Sequence, residues 1–219
     1  MTSARVPYAG GDSGRAFVLR FGIKDRDLEK LQARMKSVGL VVPLRQITLE
    51  VRYSIRTHDA RLIGTTPVAA QVIDLEFQRG KFFGKRESKT RNNVCVIGSE
   101  VARKLFPAKN PIGKSILAQK TYFLIVGVLK PTNPKNSQAN YDSAVFVPLS
   151  TMRSRVIQGG LEIVRTRGSF SAYQIEVSQA LMTVGGKQTF QETMEDVEGF
   201  FRSQHKVKDF IVEKTTTDK

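Results

Sequence analysis

The sequence predicts an α+β fold in two subdomains, and three patterns carry that expectation. Strand, helix, strand occurs near the N-terminus and again near the C-terminus, giving two βαβ-like halves. Between them, residues from about 84 to 145 hold a different set, a fully apolar strand, a short helix and a hairpin. The polar run PTNPKNSQANYD at 131–142, with its Pro and Asn residues, reads as a long surface loop. The two end segments, 17–83 and 146–215, then form one subdomain into which 84–145 is inserted. Residues 1–16 carry no such pattern and stay an unassigned, disordered N-terminal segment.

Order begins at Phe17–Phe21. Asp25 or Asp27 starts a helix with Leu28, Leu31 and Met35 on one side, and Gly39 is expected to stop it. A strand follows from about Leu40. Its second half alternates, with Ile47, Leu49, Val51 and Tyr53 on one face and Thr48, Glu50 and Arg52 on the other, the pattern of a half-buried strand. His58–Ile63 is its hairpin partner. Arg45, Arg52, Arg56 and Arg61, set among apolar residues, read as a solvated sheet face. In Gly64-Thr65-Thr66-Pro67, Thr66 stands as N-cap and Pro67 as first residue of a short helix to about Ile73.

Val94–Ile97 is a buried strand, and Cys95 within it is a core thiol. Ser99 is placed to cap a helix with the stripe Val101, Ala102, Leu105 and Phe106, which Pro107 ends. Ile116–Ala118 and Tyr122–Leu129, separated by polar Gln119 and Lys120, form a hairpin. Toward the C-terminus, Ala172–Val177 reads as a strand. Thr189-x-x-Glu192 is a capping box, Met194, Val197, Phe200 and Phe201 form a helical stripe, and Val207–Glu213 is again a strand. Glu195, Asp196 and Glu198 lie along that helix as its solvated face.

With 219 residues the chain fits one large or two small domains, and its 40% hydrophobic content excludes a disordered polymer. One Cys makes no internal disulfide. The first 16 residues lack a signal-peptide core, and no run of about 18 apolar residues occurs, so this chain is expected to be soluble by itself, whatever a longer parent carries. The net charge of +15 raises the prior for an anionic partner. Most cations are interleaved with acids. Arg79, Lys81, Lys85, Arg86, Lys89 and Arg91, opposed within the run by Glu87 alone, form the local cluster, either a solvated loop or an anion-contacting patch. Arg79, Lys81, Lys85 and Arg86 are its candidate partner contacts. No zinc knuckle, helix-turn-helix or aromatic RNA-binding signature accompanies them.

Ala108, Gly113, Lys114 and Ser115 sit at the spacing of a phosphate-binding loop, with Ala in place of the first Gly. The context opposes it. Such a loop follows a buried strand and opens a helix, so that successive N–H groups converge on phosphate; here a helix precedes and a hairpin follows. The match therefore reads as a decoy. His58 and His205 lie in no ligand motif, so the residues supply no catalytic, cofactor or metal set.

Gly64-Thr65-Thr66-Pro67, Arg79-Gly80-Lys81-Phe82-Phe83, Asn92–Gly98, Val101–Phe106, Asn110-Pro111-Ile112-Gly113-Lys114-Ser115 and Tyr122–Val128 occur in an order that closely resembles the MacB-like periplasmic core domain, the ectodomain of MacB/FtsX-type ABC transporter permeases. The resemblance runs from about 17 to 213. It implies an extracytoplasmic domain on the periplasmic side of the bacterial inner membrane, held between two transmembrane helices, with a Porter-like subdomain of two βαβ units (17–83 and 146–215) and a Sabre-like insertion (84–145). It implies no catalytic residue and no cofactor; nucleotide belongs to a cytoplasmic ATPase domain or subunit. Implied partners are that ATPase, the flanking helices, an adaptor or substrate protein and a second copy of the permease. On the residues alone, two other classes stay open: a basic module binding nucleic acid or anionic lipid, and a nucleotide-binding enzyme using Lys114.

Overall fold

The computed structural model describes residues 2–3, 18–20, 22–132, 140–157, 161–166, 169–184, 190–205 and 210–212. In chain order these form β1 (Thr2–Ser3), β2 (Val18–Arg20), α1 (Asp25–Arg34), β3 (Val38–Tyr53), β4 (Arg56–Thr65), α2 (Ala69–Val72), β5 (Phe77–Gly80), α3 (Lys85–Lys89) and β6 (Val94–Ile97). Then come α4 (Ser99–Leu105), β7 (Ser115–Ala118), β8 (Thr121–Leu129), β9 (Ala144–Pro148) and α5 (Leu149–Thr151), which runs on into a π-helical turn at Met152–Val156. The chain closes with β10 (Leu161–Thr166), β11 (Ser169–Gln174), β12 (Gln179–Val184), α6 (Phe190–Gln204) and β13 (Phe210–Ile211).

Two compact units result, one from Met1–Pro43 and Ile157–Glu213, the other from Leu44–Val156. The segment 84–145, expected as an insertion, lies within the second unit together with 44–83 and 146–156. Strand pairing explains the wider boundary. β9 is parallel to β4 and antiparallel to β6, so strands on both sides of the expected insertion are hydrogen-bonded into its sheet.

In the first unit the strand order is β13-β1-β12-β3. Both β12 and β13 run antiparallel to β1 and hence parallel to each other, so β12-α6-β13 is a βαβ unit with β1 lying between its strands. The N-terminal half differs from expectation. β2 pairs in parallel with β11 in a separate three-stranded sheet with β10, while β3 joins the sheet of β12, so β2-α1-β3 is not a one-sheet βαβ unit. Leu28 and Leu31 of α1 and Val197, Phe200 and Phe201 of α6 share one buried cluster with Val38, Val177 and Phe210. α1 ends at Arg34 with Met35 as its cap, short of Gly39, which sits inside β3. A Cβ on Gly39 would stand 2.6 Å from Thr183 Oγ1, the oxygen that accepts the Leu40 N–H at 2.8 Å. The strand before α6 is β12, not 172–177, whose first residues belong to β11. Thr189 of the expected capping box and residues 207–209 and 213 of the expected last strand lie outside the described residues.

In the second unit the pairing returns to its start. β3 pairs β4, β4 pairs β9, β9 pairs β6, β6 pairs β8, β8 pairs β7, and β7 pairs β3 through Val51 opposite Ala118 and Arg52 opposite Leu117. A sheet closed in this way loses its free edges along the circuit. The expected alternation sets what faces inward: Ile116, Ala118, Phe123 and Ile125 are buried, while Tyr122 and Leu124 are exposed. The β7–β8 hairpin turns on Gln119-Lys120 as expected. Arg45 departs from the solvated-face reading, at 3% exposure. It shares the odd-numbered face of β3 with Ile47, Leu49 and Val51, and alternation turns it inward.

Two cap expectations are corrected. Ser99 is the first residue of α4, and Gly98 stands at the cap position. The orphan N–H groups of Glu100 and Val101 donate to the Asp142 carbonyl at 3.0 and 3.3 Å, and the Ser99 hydroxyl donates to Asp142 Oδ1 at 3.0 Å. Only a residue without Cβ allows this approach, since a Cβ on Gly98 would lie 2.2 Å from the carbonyl oxygens of Tyr141 and Asp142. α2 starts at Ala69, after a turn in which the Thr66 carbonyl accepts the Ala69 N–H.

Gly98→Val should therefore destabilise the fold by about 3 kcal/mol or more, since backbone must move to relieve the clash. Gly199→Ala, with nothing within 4 Å of its added Cβ in α6, should stabilise by roughly 0.5–1 kcal/mol. Thermal and denaturant unfolding of both variants checks the pair, and equal effects would contradict the packing described.

Candidate functional site

Three groups of residues could carry chemistry, and each is settled by where its hydrogen bonds go. In the phosphate-loop-like segment, Ala108 and Gly113 adopt positive φ values of 59° and 77°. The Lys109 N–H donates to Phe106 O at 3.1 Å, Ile112 N–H to Asn110 Oδ1 at 3.2 Å, and Lys114 N–H to Pro111 O at 3.0 Å. Gly113 N–H donates to Ile125 O at 3.0 Å, and Ile125 N–H returns a bond to Lys114 O at 2.8 Å. A phosphate cradle needs such donors unbonded and pointing at one place. Here they are used up within the turn and, through Gly113, in fastening it to β8, and the chain continues as β7 rather than a helix. Lys114 is exposed on the outside of the turn.

The cationic cluster is built differently. Arg79 lies on the short strand β5, and Lys81 follows it. α3 is a single turn closed at its start by Glu87, whose Oε2 accepts the Gly84 N–H at 2.9 Å. Backbone N–H bonds, its own and that of Gly84, hold the Glu87 carboxyl below its usual range, with the Arg86 and Lys81 charges adding to the effect. At about 100° per residue, Lys85, Lys89 and Arg86 fall within one exposed arc. Glu87 and Ser88 occupy the half-buried remainder. That side is anchored: Ser150 Oγ donates to Ser88 O, and Thr151 Oγ1 to Asn92 O at 3.0 Å. All six cations of the cluster are exposed. Arg153 and Arg155, in the π-helical turn continuing from α5, flank the same support and were not singled out from sequence. The available signal was that 149–156 contains no acid.

The histidines are in separate units. His58 Nε2 lies 3.4 Å from Ser143 Oγ, which donates to Glu100 Oε2. The carboxylate thus engages the hydroxyl instead of the far nitrogen of the imidazole, so the order of a serine–histidine–acid relay is not formed. Asp142 beside it accepts from Thr132 N at 2.7 Å as well as from Ser99, which fastens the end of the 131–142 loop to α4. Residues 133–139 of that loop lie outside the described residues. His205 Nε2 sits 3.3 Å from Asp27 Oδ2, both nearly buried, between the rings of Phe201 and Phe210. Glu198 pairs with Arg202 at 2.8 Å, and Glu195 accepts from Gln191. Cys95 is fully buried in β6, and desolvation pushes its thiol far above the ordinary range. Among the described residues, no three His, Cys, Asp or Glu side chains stand together as a metal cage.

The family model described as the MacB-like periplasmic core domain matches residues 2–204. The chain belongs to that family. The macrolide export ATP-binding/permease protein MacB of Nitrosomonas europaea is 27% identical to this MacB-like domain over 157 residues, 71% of the chain and 23% of that protein. The domain thus spans about a quarter or less of the length of the curated relatives it matches. The periplasmic region of MacB from Actinobacillus actinomycetemcomitans superposes with a TM-score of 0.69 at 17% identity, covering 88% of this chain and 78% of that one. The extracellular domain of the ABC-type transporter YknZ from Gram-positive bacteria follows at 0.66 and 18%, covering 85% and 86%. These likenesses establish the mixed α/β fold of MacB-like periplasmic domains. Among the described residues no helix is long and apolar enough to cross a membrane.

Magnesium-ATP titrated calorimetrically into this domain should give no binding heat, and Lys114→Ala should shift stability by no more than about 0.5 kcal/mol. A saturable isotherm abolished by that substitution would contradict the donor geometry above. Cys95 should react with a thiol reagent only on unfolding. The folded thiol keeps its proton where the unfolded chain releases it, from the ordinary value of 9.0 upward, so stability should fall as pH rises through that range. Cys95→Ser should lessen the alkaline loss.

Proposed function

We propose that this chain is a non-catalytic extracytoplasmic domain of an ABC transporter permease, which passes ATP-driven motion across the membrane to a substrate or partner outside. The pairing of β1 with β13, Thr2 opposite Ile211 and Ser3 opposite Phe210, carries the reading. A domain held between two membrane helices must return its chain to where it left, and neighbouring antiparallel strands near the two ends provide that return. Two compact units, each with its own core, suit a transmitting element that is rigid within parts. The unit containing β1 and β13 is then the Porter-like subdomain, and 84–145 the Sabre-like part of the other.

On this reading ATP is hydrolysed by a separate cytoplasmic domain or subunit. The other partners are the flanking transmembrane helices, an adaptor or substrate protein, and a second copy in the full-length permease. The location is the periplasmic side of the inner membrane. In full-length protein, Lys104→Cys on exposed α4 should react with a membrane-impermeant maleimide in cells whose inner membrane is intact, with fully buried Cys95 contributing little background. Labelling only after lysis would refute the extracytoplasmic placement. Excising residues 2–212 should abolish export while ATP hydrolysis persists; export that survives excision would refute transmission through this domain.

A further inference from the structure

We infer that Arg79, Lys81, Lys85, Arg86, Lys89 and Arg91 form a binding surface for anionic phospholipid headgroups. The inference concerns a surface of the Leu44–Val156 unit and stands whether or not the transmission reading holds. Six exposed cations occur within one short segment, and its single acid, Glu87, accepts the Gly84 N–H and offsets only part of their charge. Lys85, Arg86 and Lys89 share the outward arc of α3, while Ser88 and Asn92 are bonded to the chain behind it, so the charges are presented on a held support. Such concentration of like charge repels itself unless an anion answers it.

The kind of anion follows from what accompanies the cations. Protein interfaces are centred on aromatic or apolar anchors. The aromatic neighbours of this surface are withdrawn, Phe83 buried and Phe82 half-buried. The exposed large apolar side chains of the unit, Ile55, Tyr122 and Leu124, stand on other elements. A surface with many charges and no apolar anchor reads a dense array of phosphates by charge alone. For a domain of a periplasmic family, the phosphate-dense surface at hand is a membrane leaflet.

The test is co-sedimentation of the 219-residue chain with vesicles of phosphatidylglycerol and phosphatidylcholine, against vesicles of phosphatidylcholine only. Binding to the anionic vesicles should be clear at about 50 mM salt and lost near about 500 mM. Each cation near such a surface multiplies affinity roughly five-fold, so Lys85→Gln, Arg86→Gln and Lys89→Gln together should weaken binding about 100-fold. Lys36→Gln, Lys104→Gln and Lys109→Gln, the same charge change at exposed positions elsewhere, should weaken it by less than about 10-fold. Should the first triple variant melt early, Arg79→Gln with Lys81→Gln is read instead, at about 25-fold. Equal loss in the two triple variants, binding to neutral vesicles, absence of binding at low salt, displacement by free inorganic phosphate at millimolar level, or tighter binding to duplex DNA would each overturn the inference.

Discussion

Closure of the strand circuit through β7 is the constraint on which the Leu44–Val156 unit depends. β7 has four residues, yet it hydrogen-bonds to β8 along its length and to β3 at Val51 and Arg52. Without it, β3 and β8 would each present a row of unpaired N–H and C=O groups, a costly and aggregation-prone edge. The segment that delivers β7 to this place is Phe106–Lys114. Its positive φ at Ala108 and Gly113, its buried Pro111 and its exchange of bonds with Ile125 are all explained by that task. A spelling close to a nucleotide motif thus arises from the requirements of a strand joint.

What could be read from sequence was what is decided within a few residues. Alternation along Ile47–Tyr53, the stripe of Val197, Phe200 and Phe201, and the Gln119-Lys120 turn were legible because local period determines which side is buried. The order of motifs made the family legible as well. Pairings between distant segments were not. Nothing in Ala144–Pro148 announces that it lies between β4 and β6. The caps failed for the same reason. Ser99 has the right chemistry to cap α4, but Asp142, brought in by the return of the 131–142 loop, supplies the acceptor first.

Charge shows the same division between composition and placement. The chain carries +15, and some of its charges form ordinary exposed pairs, such as Lys130 with Glu76 and Arg202 with Glu198. Such pairs contribute roughly 0–1 kcal/mol each. Lys130 holds the Glu76 carboxyl below its usual range, chiefly by a hydrogen bond and then by charge. The segment 79–91 differs because it sets six exposed cations around a single acid, Glu87, whose charge offsets only part of theirs. Composition announces an excess of charge; placement along β5 and α3 decides where that excess faces solvent.

In the other unit, residues from the two ends of the chain are made into one body. Asp27 closes the start of α1 by accepting the Lys24 N–H and meets His205 at the end of α6, while Lys30 bonds Gln204 on the surface above. Phe201 and Phe210 enclose the imidazole and join α6 to β13. The strands β1 and β13 are only two residues long, so their own ladder is a weak link. The shared core of α1, α6, Val38, Val177 and Phe210 therefore holds this unit together, and the two-residue β1–β13 ladder adds little to it.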